Sequence, residues 1–201
     1  MPSALKRTRM SPIARAEQLL DVAAGMIESN GLGPFTMDGL ARQAQVSAPL
    51  VYNYFPSRLE LLRSLLKREY LRFAHDTLTK AEQARDFEAI VRIAVRSNFA
   101  HYARGSVLTQ LMAQREVASV IAESQKQHSR ASANFLMDKA AEHYALSEHE
   151  ARLAVTMSSG AAMAAASQSS NQQEAVDQTI DLVVDYILAG IDRLTKQKEA
   201  N

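Results

Sequence analysis

The chain has 201 residues, of which 47% are hydrophobic, and it contains no cysteine. This length is enough to bury one or two cores, and the lack of cysteine excludes a disulfide framework, a thiolate nucleophile and a cysteine-based zinc site. No apolar stretch of signal-peptide or membrane-spanning length occurs, so we expect a cytoplasmic protein that neither crosses nor contacts a membrane.

The charge is distributed unevenly, although the net value is only +1. Residues 1–72 contain ten Lys and Arg against six Asp and Glu, a net +4, whereas the remainder contains 13 against 16, a net −3. A basic front and an acidic remainder are typical of a nucleic-acid-binding head on a different body.

The first predicted helix begins at Ser11-Pro12, where serine provides an N-cap and proline occupies the first helical position. Its apolar residues recur with helical spacing, and Asn30-Gly31 ends it. Thr36 then caps a second, short helix over residues 37–44.

A third short helix is predicted from Ser47 to about Tyr54. Its Pro49 is tolerated because first-turn amides have no acceptor within the helix. Two short helices joined by a three-residue turn match a helix-turn-helix. The outer face of the third helix is then free to enter a groove of duplex DNA.

The rest of the chain is also helical, and no segment is predicted as a strand. A capping box at Ser57–Glu60 opens a long linking helix. The predicted fold is all-α, with an N-terminal arm and three-helix helix-turn-helix domain at residues 1–56 and a linking helix and C-terminal helical bundle at residues 57–201. The further predicted helices span approximately 86–104, 106–112, 116–145, 147–170 and 171–196.

Side chains suited to DNA contact gather around the third helix. A helix that enters the major groove needs short or hydrogen-bonding side chains at its N-terminal end and donors to phosphate beside it. The candidates for base edges are Ser47, Ala48, Pro49, Leu50 and Asn53. The candidates for phosphate contacts are Thr36, Tyr52, Tyr54 and Arg58, together with Lys6, Arg7 and Arg9 on the N-terminal arm.

Residues 11–66 resemble the DNA-binding domain of the TetR family of bacterial transcriptional regulators. Gln45 stands where the family usually has glycine, and a positive φ at this turn residue would cost a residue other than glycine roughly 1 kcal/mol. Pro49 and Leu50 stand where the family often has glycine and a hydroxyl residue, so base preference at those two positions does not carry over. The residues that carry the resemblance are Gly31, Phe35-Thr36, Leu40-Ala41, Ala44, Val46-Ser47, Tyr52, Tyr54-Phe55, Arg58 and Leu61-Leu62.

The resemblance implies a homodimer that binds a palindromic DNA operator. It further implies that the remaining helices form a ligand-binding and dimerisation domain, and that a small-molecule effector releases a repressor from DNA. No cofactor and no catalytic residue are expected.

Two sets of residues in the C-terminal part are candidates for these roles, and both also suit an ordinary core. The candidates for the dimer interface are small residues or lie on an apolar stripe of the last helix: Ala161, Ala165, Ile180, Val183, Ile187, Ile191 and Leu194. The candidates for the effector pocket are apolar, aromatic or methionine residues: Phe99, Tyr102, Leu108, Met112, Phe135, Met157 and Met163.

Two other classes of function remain open at this stage. A helical-bundle enzyme lacks support, because the sequence has no phosphate-binding glycine loop, nucleophile elbow or E-x-x-H motif. A helical carrier or interaction module would not bind DNA. The five histidines are scattered and predict solvated surface rather than a metal site: His75, His101, His128, His143 and His149.

Overall fold

The computed structural model describes residues 10–102, 106–169 and 173–199. Within these ranges all the regular secondary structure is helical, which confirms the predicted fold class. The helices are α1 Pro12–Asn30, α2 Met37–Gln43, α3 Ala48–Tyr54, α4 Arg58–Glu82, α5 Phe87–Tyr102, α6 Val107–Met112, α7 Arg115–Ala118, α8 Ala122–Tyr144, α9 Glu148–Gln168 and α10 Gln173–Glu199.

Side-chain caps start the helices where the sequence predicted them. The Thr36 hydroxyl accepts a hydrogen bond from the Gly39 amide at 3.0 Å, and the Ser57 hydroxyl accepts one from the Glu60 amide at 3.1 Å. Ser147 at the start of α9 forms a complete capping box. These bonds satisfy amides that have no acceptor inside the helix, so they fix where each helix begins.

The single helix predicted over residues 116–145 is wrong. The chain instead forms α7, a 3-10 turn at Ser119–Ile121, and then α8. Val117 and Ile121 are buried against α4, whereas α8 packs against α9. A break in the helix is needed because these two segments belong to different cores.

The first core joins the helix-turn-helix to parts of the chain beyond it. Its buried residues come from α1, α2 and α3, from the first half of α4, and from α6 and α7. Leu61, Leu62, Leu65 and Leu66 of α4 are essentially inaccessible to solvent. The core of the N-terminal unit therefore extends past residue 56, where the sequence placed a boundary.

The second core lies between α5, α8, α9 and α10. Bulky residues of α5, such as Val95 and Phe99, face the apolar stripe of α10, while α9 contributes small residues such as Ala154 and Ala162. Alanines at this contact let α9 approach its neighbours closely. None of the described helices is long and apolar enough to span a bilayer.

Among the described residues, two other than glycine adopt left-handed backbone conformations, Gln45 at φ 55° and Ala145 at φ 50°. Gln45 occupies the turn between α2 and α3, and Ala145 ends α8. The conformation costs an L-residue about 1–2 kcal/mol, whereas glycine adopts it freely.

We expect Ala145→Gly to stabilise the protein by about 0.5–1 kcal/mol, since relief of the strained φ exceeds the extra freedom that glycine gives the unfolded chain. Urea unfolding measures the change. Ala141→Gly in the interior of α8 is the control, and it should destabilise the protein by about 1 kcal/mol. Destabilisation by Ala145→Gly as well would contradict the assignment of strain to this residue.

Candidate functional site

The turn between α2 and α3 fixes the orientation of α3. The Ala44 amide donates to the Leu40 carbonyl at 2.8 Å, and the Val46 amide donates to the Ala41 carbonyl at 3.0 Å. The inner face of α3 is anchored by Val51, which is fully buried, and Phe55 closes the helix against the same core. The opposite face of α3 must then point outward.

Several base-edge candidates lie on that outward face. Ser47, Pro49 and Asn53 are exposed, whereas Ala48 and Leu50 are half-buried. Unlike the other N-cap serines, Ser47 makes no capping hydrogen bond, because the Leu50 amide donates to the Ser47 carbonyl at 3.0 Å instead. The Ser47 hydroxyl is thus available to another molecule.

The phosphate candidates divide into three groups. Tyr52 is 46% exposed beside this face, and Thr36 is exposed at the start of α2. Tyr54 is half-buried against the first core, so its ring packs. Lys6, Arg7 and Arg9 lie outside the described residues. The sequence analysis missed Arg42 of α2, which is exposed and forms no hydrogen bond or ion pair with a described residue.

Arg58, the remaining phosphate candidate, is exposed, but its guanidinium is hydrogen-bonded to the protein's own backbone. Its Nε donates to the Phe35 carbonyl and its Nη2 donates to the Leu32 carbonyl, each at 3.1 Å. The guanidinium also lies 5.9 Å from the centre of the Phe35 ring. This side chain therefore holds the segment between α1 and α2 onto the start of α4, a role that the sequence analysis did not predict. Its contact with phosphate stays a prediction.

We expect Arg58→Ala to lower the free energy of unfolding by about 1–2 kcal/mol, because two hydrogen bonds from a charged but partly solvated group are lost. If Arg58 also contacts one phosphate per protomer, the slope of log affinity against log salt should flatten by about two for a dimer. Urea unfolding and DNA titrations at several salt concentrations separate the two roles.

Arg42→Ala is the matched control, since the Arg42 guanidinium has no described partner and its loss should leave the unfolding free energy unchanged. An unfolding curve of Arg58→Ala that overlays the wild type would contradict the anchoring role. If Arg58→Ala leaves the slope of log affinity against log salt unchanged, the phosphate contact of Arg58 is contradicted.

Two further contacts tie the helix-turn-helix to the body. The Arg68 side chain of α4 is only 10% exposed and forms ion pairs with Glu17 at 3.1 Å and Asp21 at 2.8 Å, both on α1. Burial lowers the pKa of Arg68, but hydrogen bonds with Glu69 and Glu17 outweigh it and raise the pKa above its ordinary value. Arg68 therefore stays charged across the whole stability range of the protein.

Gln110 of α6 supplies the second contact, and no sequence motif marks it. Its Oε1 accepts from the Leu32 amide at 2.9 Å, and its Nε2 donates to the Ile27 carbonyl at 3.3 Å. Gln110 thus binds the end of α1 and the loop that follows it. A shift of α6 would be transmitted directly to the helix-turn-helix.

A large cavity opens between α4, α5, α8 and α9, with about 1430 Å³ of empty space including the part open to solvent. Its walls combine apolar residues such as Phe73 and Ile93 with neutral polar residues such as Thr77 and Asn98. A concave, mostly apolar site with a few polar groups is the usual form of a small-molecule site. We call it the effector cavity.

Among the pocket candidates whose side chains the structure describes, Phe135 and Met163 line the effector cavity. Leu108 and Met112 pack in the first core, Phe99 is buried in the second, and Met157 is 66% exposed. The Tyr102 side chain lies outside the described residues. The four other described candidates therefore do not line the cavity, and the sequence could not show this because an apolar residue type does not reveal which space its side chain faces.

The predicted dimer interface requires a similar correction. Ile180, Val183, Ile187 and Ile191 are buried within the protomer against α5, so a second copy cannot reach them. Ala161 and Ala165 are half-buried, and Leu194 is 41% exposed. The helical spacing correctly predicted that the apolar stripe of α10 is buried. The surface that covers the stripe, however, is α5 of the same chain and not a second copy.

Other apolar side chains of α9 and α10 are exposed instead. Leu153 and Met157 are 47% and 66% exposed on α9, and Leu182 and Tyr186 are 68% and 69% exposed on α10. Each pair is spaced by four residues and so lies on one face of its helix. We call these four residues the apolar face. Exposed apolar side chains grouped in this way favour an interaction site.

The histidines differ from the prediction at one position. His75, His143 and His149 are exposed, and the His101 side chain lies outside the described residues. His128, in contrast, is half-buried and lines the effector cavity. No group of three potential metal ligands occurs among the described residues.

Comparison with known proteins gives a family match over the helix-turn-helix and partial matches to two regulators. Residues 19–65 match the family described as bacterial regulatory proteins, tetR family. The HTH-type transcriptional regulator LuxR of Vibrio harveyi is 35% identical over 83 residues, which are 40% of this chain and 40% of that protein. The HTH-type transcriptional regulator BetI of Agrobacterium fabrum is 38% identical over 94 residues, 44% of this chain and 45% of that protein.

These matches span less than half the length of either regulator. The likeness of fold extends further. A TetR-like transcriptional regulator from Rhodococcus sp. RHA1 superposes with a TM-score of 0.58 at 23% identity, covering 92% of this chain and 99% of that one. At this identity the match shows only that the folds are alike, and the likeness includes the helices that follow the helix-turn-helix.

Proposed function

The chain belongs to the TetR family of bacterial transcriptional regulators, and from this premise we propose that it is a cytoplasmic repressor. The repressor binds a palindromic operator as a homodimer, and it leaves the operator when a small molecule occupies the effector cavity. The observation that carries the proposal is the outward face of α3, with Ser47, Pro49, Tyr52 and Asn53 exposed while Val51 is fully buried. Membership of a family of regulators favours this function over an enzyme or a helical carrier.

The DNA contacts divide by chemistry. We assign base-edge contacts to Ser47 and Asn53, whose hydroxyl and amide can hydrogen-bond, and apolar contacts to Pro49. Ala48 and Leu50 line the half-buried edge of the same helix. We assign phosphate contacts to Tyr52, Thr36 and Arg42, and to the basic arm an attraction to DNA that does not depend on the base sequence.

Dimerisation through the apolar face is part of this proposal. Two recognition helices must lie about 34–36 Å apart to enter successive major grooves on one side of the duplex. Pairing of α9 and α10 with their copies would bury Leu153, Met157, Leu182 and Tyr186, which a solitary protomer leaves in water. Small residues beside them on α9, such as Gly160 and Ala164, permit close helix approach.

The effector cavity is connected to the DNA-binding unit through α4. Tyr70, Phe73 and Thr77 of α4 line the cavity, while Arg58 and Leu61 at the other end of the same helix support the helix-turn-helix. A ligand that moves α4 therefore changes the position of α3. Through α4, binding of a ligand in the effector cavity can therefore release the protein from DNA.

Selection of bound duplexes from a random DNA library tests the proposal directly. We expect an enriched inverted repeat whose half-site centres lie one helical turn apart, about 10–10.5 base pairs, or a multiple of it. Retention of random duplex without enrichment would contradict sequence-specific regulation. Enrichment of one unrepeated half-site would contradict binding as a symmetric dimer.

A further inference from the structure

The effector cavity has no charged lining. Among its described lining residues there is no Asp, Glu, Lys or Arg, and the polar groups are hydroxyls, amides and the imidazole of His128. Burial raises the pKa of Tyr70, so this phenol stays protonated and neutral. An ionised ligand group would lose its hydration here without meeting an opposite charge, which disfavours charged ligands.

His128 is held in one tautomer. Its Nδ1 lies 2.7 Å from the Ser124 carbonyl oxygen, which can only accept, so Nδ1 carries the proton. In the neutral ring Nε2 is then a hydrogen-bond acceptor, and it forms no hydrogen bond with a described residue. Edge-to-face contact with Tyr70, at 5.6 Å between ring centres and 90° between planes, restricts the ring further.

A second, smaller pocket adjoins the effector cavity. It has about 420 Å³ of empty space including its open part, and it shares Ala94, Asn98, Leu136 and Ser159 with the larger cavity. Its other walls include apolar residues of α5, α8, α9 and α10, such as Phe87, Val155 and Ile187, and none of its described lining is charged. The combined space suits a molecule whose polar group is small and whose remainder is apolar.

We infer that the effector is an uncharged, largely apolar molecule whose hydroxyl or N–H group donates a hydrogen bond to Nε2 of His128. This inference rests on the proposed function, which assigns the cavity to an effector, and it adds the chemical class of that effector. His128 is then the residue that selects for a donor group.

Three probes of the same ring size test the chemical class: 2-naphthol, 2-methoxynaphthalene and 2-naphthoate. Calorimetric titration of the full-length protein without DNA should show tightest binding for 2-naphthol. The methyl ether lacks a donor and should bind about 5- to 10-fold more weakly, the effect of one net hydrogen bond. The carboxylate should bind more weakly still, because its charge has no partner in the cavity.

Variants of His128 test the residue. His128→Phe keeps a ring but removes both nitrogens, so 2-naphthol should lose its advantage over the ether. His128→Gln keeps an acceptor oxygen and should retain part of the preference, which guards against a folding defect in the first variant. His75→Phe makes the same change on the exposed surface of α4 and should alter nothing.

Tightest binding of 2-naphthoate, or the absence of binding by all three probes, would overturn the inference. So would an undiminished preference for 2-naphthol in both His128 variants. DNA binding is measured separately by selection from random duplexes. A protein that selects an operator but prefers naphthoate refutes this inference alone, whereas one that prefers 2-naphthol but selects no DNA refutes the proposed function alone.

Discussion

Leu182→Asp is expected to convert the proposed dimer into folded monomers and to lower operator affinity at least 100-fold. The side chain is 68% exposed on α10, so the protomer does not depend on it for its own core. In a symmetric interface the substitution occurs twice. Each copy removes about 1.5–3 kcal/mol of leucine burial and adds a carboxylate that must be desolvated.

Operator affinity falls because the two DNA-binding units are no longer held together in one dimer. A dimer holds the second head near its half-site once the first is bound, whereas a monomer must bind each half-site independently. Sedimentation equilibrium measures the dissociation constant of the dimer, and titration of the selected operator measures DNA affinity. Circular dichroism shows whether the variant is folded.

Leu71→Asp is the matched control, because Leu71 is a 39% exposed leucine on α4, away from the apolar face. It should remain dimeric. Ile187→Asp should behave differently again, since Ile187 is only 5% exposed and a carboxylate there would unfold the second core rather than release folded monomers. A Leu182→Asp protein that sediments as a dimer would place the interface elsewhere.

Asn53→Ala is expected to reduce specific DNA affinity while nearly preserving affinity for random duplex. Asn53 is exposed on the outward face of α3 and is the residue of that face best equipped for a bidentate contact with adenine. Loss of one such contact costs about 1–3 kcal/mol, and a dimer on a palindrome loses it twice. The expected loss of specific affinity is therefore roughly 30-fold or more.

Tyr52→Phe is the comparison for this prediction. It removes a hydroxyl assigned to phosphate and should weaken binding to specific and random DNA by similar factors. Titrations of both variants against the selected operator and a scrambled duplex give the specificity ratio. An unchanged ratio for Asn53→Ala would show that Asn53 does not read a base.

The helix-turn-helix was predictable because its signals are local. Thr36 and Ser57 lie three residues before the amides that they cap, so neighbouring residues decide where α2 and α4 begin. The resemblance also drew attention to Gln45, because glycine usually occupies that turn position, and the Gln45 backbone is indeed left-handed. Such features need no knowledge of distant parts of the chain.

The sites in the body were less predictable because they depend on which surfaces meet. Periodicity identified Ile180 and Ile187 as one face of α10, but it does not reveal whether α5 or a second copy covers that face. Likewise, Leu108 is apolar and could by residue type line a pocket, yet it packs in the first core beneath the helix-turn-helix. His128 was assigned to the surface because an isolated histidine in a polar segment carries no sign of its neighbours.

The 25-residue helix α4 belongs to both the DNA-binding unit and the effector cavity. At 1.5 Å per residue such a helix is about 37 Å long, so it acts as a lever. A tilt of about 5° around a pivot some 20 Å away displaces the far end by roughly 2 Å, and the displacement is doubled in the separation of two symmetric heads. In the proposed regulator, the reading of an operator is thus sensitive to small displacements of α4 near Tyr70, at the middle of the helix.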